Sequence, residues 1–208
     1  GLIGSHFARH LLQRGHQVWI LSRNPQGQKL PAGVVGVRWD GKTPQGWWQL
    51  LEEMDAVVNL TGENLAGGLW TAARKQRFLS SRVDAGKALV EALRMTDRRP
   101  KVLLQSSGIG YYGFSGDRLV SEDAPPGEDY MAKLCVQWED STRAVEELGL
   151  RRLIIRNSPV FARESLILKM FLLPSRLFVG GRLGSGRQWV PWIHLEDILG
   201  IIAFLIKN

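Results

Sequence analysis

Cysteine is almost missing from this sequence: Cys135 stands alone among 208 residues, so no internal disulfide can form. A stapled scaffold is excluded, and the fold must rest on a hydrophobic core, in which Cys135 reads as a small packed residue. Histidine is scarce, at four residues, and no His, Cys, Asp or Glu falls at metal-ligand spacing. Long apolar runs are absent too. No stretch approaches the roughly 20 residues needed to cross a bilayer, and no basic-then-apolar leader opens the chain. The expectation is a soluble, cytoplasmic protein with no membrane partner. Repeats and low-complexity tracts are also lacking.

Acidic charge is the minority sign, with 20 Asp and Glu against 27 Lys and Arg for a net charge of +7. That balance favours anionic partners in general. The basic residues are scattered, and no helix-turn-helix, zinc-finger or RNA-binding signature accompanies them, so specific nucleic-acid binding is not expected.

What is present is an alternation of apolar strands and amphipathic helices. Ile3, Phe7, Leu11 and Leu12 mark a first helix, with Gly15 past its end as a stop signal. Strands are read at residues 17–21, 34–39, 55–60, 101–105 and 152–156. Helices are read at 45–53, about 71–95, 130–148, 165–178 and 195–206. Strands that alternate with helices call for an α/β fold, a doubly wound parallel sheet with right-handed crossovers. One unit is expected over 1–208, with part of a substrate region near 161–192.

Ligands in such sheets sit beyond the carboxyl ends of the strands, which directs attention to the residues there. After Val102, Leu103 and Leu104 comes Ser106-Ser107-Gly108-Ile109-Gly110-Tyr111-Tyr112-Gly113, followed by a helix carrying Tyr130 and Lys133. A hydroxyl, a phenol and a nearby ammonium form a proton-transfer set, since the cation favours the phenolate and the hydroxyl can hold a substrate oxygen. After the second-strand segment, Ser22-Arg23 stands where an Asp or Glu would hold the ribose hydroxyls of NAD. The arginine offers its fork of donors to a 2′-phosphate instead.

These motifs resemble the short-chain dehydrogenase/reductase superfamily in its extended, sugar-nucleotide-epimerase-like branch. More narrowly, the chain is similar to a subgroup of NADP-dependent epimerases also labelled cell-division-inhibitor-like. The resemblance covers essentially the whole chain. It implies a Rossmann-like fold, NADP as cofactor in preference to NAD, and a small-molecule substrate such as a nucleotide sugar. Gly1-Leu2-Ile3-Gly4 matches the end of the family's glycine-rich phosphate turn, so the chain is expected to lack the first strand and the first glycines. The substrate region is likewise expected to continue beyond residue 208.

The resemblance assigns further cofactor contacts to Ser22, Arg23, Asp40 facing the adenine, Leu60-Thr61-Gly62-Glu63, Lys133, and Ser158 and Val160 beside the nicotinamide. It assigns the substrate oxygen to Ser107, with Ser106 second, and the proton to Tyr111, Tyr112 or Tyr130 tuned by Lys133. Arg187, in the run 180–188, would meet a substrate phosphate or carboxylate, and residues 114–128 would rim the site. His194 is expected to be buried and hydrogen-bonded. One departure stands out: the family's tyrosine lies four residues before the lysine, and that position is Asp129. A cofactor-binding sensor or interaction protein without turnover is therefore the competing class.

Overall fold

The computed structural model describes all residues except Gln28, Gly67 and Leu183. Two of these fall in segments singled out above, Gly67 in the glycine-rich loop 65–70 and Leu183 in the run 180–188; those two positions lie outside the described residues. No described helix is long and apolar enough to cross a membrane.

Every strand pairing is parallel. β4 (Val102–Gly108) is the central strand of a three-stranded sheet, with β3 (Ala56–Asn59) on one side and β5 (Arg151–Asn157) on the other. β1 (Trp19–Ser22) and β2 (Val35–Arg38) form a separate pair. β6 (Val160–Phe161) pairs with β7 (Ile193–His194).

Helices cover both faces, and β4 shows why its apolar run is continuous. Leu103 enters a core with Trp47, Leu51, Leu89, Leu93 and Val145, packed from α2 (Ala72–Met95). Its neighbour Leu104 points the other way, into a core with Phe7 of α1 (Leu2–Leu12) and Leu195, Ile198, Leu199 and Ile202 of α5 (Leu195–Lys207). Successive strand residues face opposite sides, so a strand covered twice must be apolar at every position. This is the doubly wound arrangement expected from the sequence.

A cleft of about 710 Å³ separates the two sheets. It is lined by Trp19, Ile20, Leu21 and Ser22 of β1 and by Ala56, Val57, Val58 and Asn59 of β3. Four consecutive residues on each strand can border one cavity only if the cavity runs along the strand's backbone edge, because side chains alternate between faces. The other edge of β1 is paired with β2, and the other edge of β3 with β4. The cleft therefore runs between two free parallel edges, where the first strand that the sequence reading finds lacking would pair; the candidate ligand region is the rim at the carboxyl ends of these strands.

Two expectations change in detail. The helix read over 130–148 stops early: α3 covers Tyr130–Asp140, and Arg143–Val145 is a short 3-10 turn. Ser141, Thr142 and Arg152 donate side-chain hydrogen bonds to the carbonyls of Trp138 and Glu139, which diverts the backbone from continuing. His194 is exposed rather than buried. Its Nδ1 accepts from the Glu196 N–H at 3.3 Å, capping the start of α5.

Candidate functional site

The first turn of α1 has no side-chain cap on its free N–H groups, because the residue before it is Gly1. Uncapped donors and the positive end of the helix dipole suit an anion such as a pyrophosphate. Gly1 and Gly4 line the cleft, together with Ser22, Arg23, Asp40 and Leu60-Thr61-Gly62-Glu63. Nine cofactor candidates therefore border one cavity, counting each residue of that tetrapeptide. Leu2, Ile3, Lys133, Ser158 and Val160 are not on its wall.

The donor set fits a phosphate-bearing nucleotide. Ser22 Oγ accepts from the Asn24 N–H at 3.3 Å, which leaves its own proton to give. Arg23 is exposed, with no hydrogen bond or ion pair to any described residue. Asp40, in contrast, is used locally. Its carboxylate accepts from the Lys42 and Thr43 N–H groups (2.8 and 2.9 Å) and the Thr43 hydroxyl (2.9 Å), and these bonds, the Lys42 one first, hold it below the ordinary carboxyl range.

The loop after β3 is fixed from beneath. Asn59 donates to Gln105 at 2.8 Å and accepts from the Thr61 N–H at 3.1 Å. Arg82, buried on α2, donates to the Glu63 and Phe78 carbonyls (3.1 and 3.0 Å) and lies over the Trp138 ring at 4.7 Å. It has no carboxylate bonded to it among the described residues, and burial pulls its guanidinium below the usual range. A Cβ on Gly62 would come within 2.9 Å of the Arg82 guanidinium carbon, so only glycine lets the loop lie this close.

At the carboxyl end of β4, Ser107 and Arg156 are directly opposite in register. Glu139 of α3 joins them. Ser107 Oγ donates to Glu139 Oε1 at 2.6 Å, and Arg156 grips both carboxylate oxygens at 2.9 Å. Arg156 also donates to the Tyr112 hydroxyl at 2.8 Å and lies 3.5 Å over the Tyr111 ring. The hydrogen bonds to Glu139 push the Arg156 pKa further up, so this is a charged, bidentate pair. Burial pushes the neighbouring Cys135 thiol up, and it stays protonated.

The other expected members are elsewhere. Tyr130 turns its hydroxyl to the Lys75 carbonyl on α2 at 2.9 Å, and its ring meets Trp70 edge-on at 5.8 Å. Lys133 is exposed and its ammonium has no partner among the described residues. Asp129 caps α3 by accepting from the Ala132 N–H at 2.8 Å. Ser106 faces away from Ser107, where its hydroxyl accepts a long 3.5 Å bond from Asn157; Asn157 Oδ1 is buried and unpartnered. Ser158 and Val160 follow β5. Arg187 is exposed, its N–H bonded to Ser185 Oγ at 3.3 Å. Trp189, two residues on, donates to Asp117 at 2.8 Å and ties the 114–128 loop to this run.

The sequence reading passed over Glu139 and Arg156 as functional residues. Two signals mark them: Arg156 directly follows the apolar run 153–155 at the carboxyl end of β5, and Glu139 lies one turn from Cys135 on the buried stripe of α3. Charges rarely enter such positions without partners.

With this geometry in view, comparison with known proteins is informative. The chain is 34% identical to the epimerase family protein YfhF of Bacillus subtilis over its full length, covering 68% of that relative. The fold superposes on the crystal structure of the human epimerase family protein SDR39U1 with NADPH (TM-score 0.82, 30% identity, covering 100% of this chain and 68% of that one). It has the same fold as MoeE5 in complex with UDP-glucuronic acid and NAD (TM-score 0.82, 20% identity, 100% and 70% covered). Residues 1–208 match the profile of the NAD dependent epimerase/dehydratase family, and the chain belongs to that family.

Proposed function

We propose that this protein binds NADP and uses it to move hydride to or from a carbon bearing a hydroxyl or carbonyl, with a nucleotide sugar as the substrate class. The observation that carries the reading is Arg23: a free guanidinium on the cleft wall, beside a serine with a proton to give, with no carboxylate at that strand end to favour a ribose hydroxyl. NADPH in the human SDR39U1 structure supports the same choice, and UDP-glucuronic acid in MoeE5 supports the substrate class.

When bound, the nicotinamide supplies the hydride chemistry. The chain's part is to orient the cofactor and exchange a proton with the substrate oxygen. Backbone N–H groups at the start of α1 would hold the pyrophosphate; in the 60–63 loop the Thr61 and Glu63 N–H groups are already given to Asn59 and Ser81, so that loop would serve by lying close to the ribose. At the end of β4, the hydroxyls of Ser106 and Ser107 and the phenols of Tyr111 and Tyr112 form the proton-exchanging group; Ser107 gives its hydrogen to Glu139, whereas among the described residues the Ser106 and Tyr112 hydroxyls only accept, from Asn157 and Arg156. Tyr130 is left out of this group because its hydroxyl is given to the Lys75 carbonyl.

The second reading, a nucleotide-binding protein without turnover, draws on the same facts: the Tyr130 hydroxyl is given to the Lys75 carbonyl, and Ser107 is bonded to Glu139. The full-length protein should be supplied with NADPH and simple carbonyls, and separately with UDP-glucose and UDP-glucuronic acid plus NADP, following cofactor absorbance and sugar products. Turnover that Ser106→Ala lowers at least tenfold supports the enzyme. NADPH binding with no turnover in any arm supports the second reading.

A further inference from the structure

We propose that Arg38 is a second arginine of the site that reads the cofactor's 2′-phosphate, acting from β2 alongside Ser22 and Arg23. The inference rests on the NADP reading above and adds a residue from a different strand.

Three observations lead to it. First, β1 and β2 are in parallel register with Ser22 opposite Arg38, about 4.8 Å away at ordinary strand spacing. Leu21 and Val37, also opposite each other, both pack into the α2-side core. Ser22 and Arg38 therefore share the other face.

Second, the loop after β1 is drawn over that same face. A Cβ on Gly36 would lie 2.6 Å from Leu30 and 2.9 Å from Pro25, so both side chains rest directly on β2 at Gly36. Gly36 and Arg38 are two apart and face the same way. The segment after Ser22 thus runs over the face of β2 that carries Gly36 and Arg38, with Pro25 seated on Gly36.

Third, neither arginine is satisfied. Arg23 and Arg38 are both exposed, and neither has a hydrogen bond or ion pair among the described residues. The Asp40 carboxylate, two residues beyond Arg38, accepts from Lys42 and Thr43. Two arginines exposed at adjacent strand ends, with a serine proton beside them, match a doubly charged phosphate monoester better than a neutral ribose.

The test is titration of the full-length protein with adenosine 2′,5′-bisphosphate and with adenosine 5′-diphosphate, which differ in whether a phosphate stands on the 2′-oxygen. Wild type, Arg23→Ala, Arg38→Gln and Arg38→Lys are compared. A charge-assisted hydrogen bond implies that Arg38→Gln weakens the 2′-phosphorylated probe by about tenfold to a hundredfold. The 5′-diphosphate should bind unchanged, and Arg38→Lys should recover part of the loss. If Arg23→Ala removes the preference while Arg38→Gln leaves it intact, the Arg38 assignment is wrong and the NADP reading stands. If wild type shows no preference at all, both fall.

Discussion

At the ends of β1 and β2, Arg23 and Arg38 have no partner among the described residues, whereas at the ends of β4 and β5 Ser107, Glu139, Arg156 and Tyr112 are bonded to one another. Both arginines of the first region are exposed, and Arg23 borders the cleft. The second has used its charged groups up. Free donors cost little at an exposed strand end, where water serves them until an ion arrives. Charges under a helix have no such recourse and must satisfy one another. The contrast explains why nucleotide recognition can be argued from single residues here, while the proton-transfer centre cannot.

The sharpest way to break the contrast is to cut the closed network. Glu139 has a side-chain exposure of 8% and Arg156 of 19%. Glu139→Ala should destabilise the protein by about 1–3 kcal/mol in urea unfolding, since it leaves a half-buried guanidinium with only the Tyr112 hydroxyl and the Glu122 carbonyl as hydrogen-bond partners among the described residues. Replacing both partners together, as Glu139→Leu with Arg156→Met, should recover most of that loss. A double variant as unstable as the single one would mean that packing, not charge, is at stake.

A comparable effect is expected where the two regions meet. Gly62→Ala pushes a methyl into the guanidinium of Arg82, which is held by two carbonyls and the Trp138 ring. A cost of about 1–3 kcal/mol is expected from overpacking, together with weaker NADPH binding as the loop shifts. Calorimetric unfolding with and without NADPH separates the two.

Tyr130→Phe removes one hydrogen bond to the Lys75 carbonyl, worth about 1 kcal/mol. Burial raises the Tyr130 phenol above its ordinary 10.0, so its protonated form is favoured by folding. Its contribution is present below pH 10 and is lost as pH rises through the raised value. Wild type should therefore lose its advantage over the variant in alkali, measured as urea midpoints against pH. The variant should keep any cofactor-dependent turnover; a large fall would return Tyr130 to the chemistry.

Much of this was legible in sequence. The unbroken Val102–Leu104 run gave the central strand because a parallel strand covered on both sides permits nothing else. That Ser22 and Arg23 stand at the carboxyl end of β1 was legible, because the end of an apolar run is a local signal. Tyr130 was not, because three-residue spacing to Lys133 says they share a helix but not where the phenol goes. A carbonyl 55 residues earlier in the chain decides that. Nor was the Glu139–Arg156 pair, which depends on the register of β4 with β5 and on α3 crossing above them.

The smallest expected effect lies at Asp40. The Lys42 and Thr43 N–H groups hold its carboxyl below the ordinary 3.8, so its stabilising contribution is present above that value and is lost as pH falls through the lowered one. Asp40→Asn should make the acid limb of unfolding slightly shallower. No change on that limb would mean the turn forms without the charge.

The account stands most directly on one measurement: the affinities of full-length wild type and Arg23→Ala for NADPH and for NADH, by calorimetry at one salt concentration. Wild type should favour NADPH, and the variant should lose about tenfold or more for NADPH with little change for NADH, bringing the two together. Equal losses for both cofactors, or no NADPH preference in wild type, would contradict the claim that the free guanidinium beside β1 reads the 2′-phosphate.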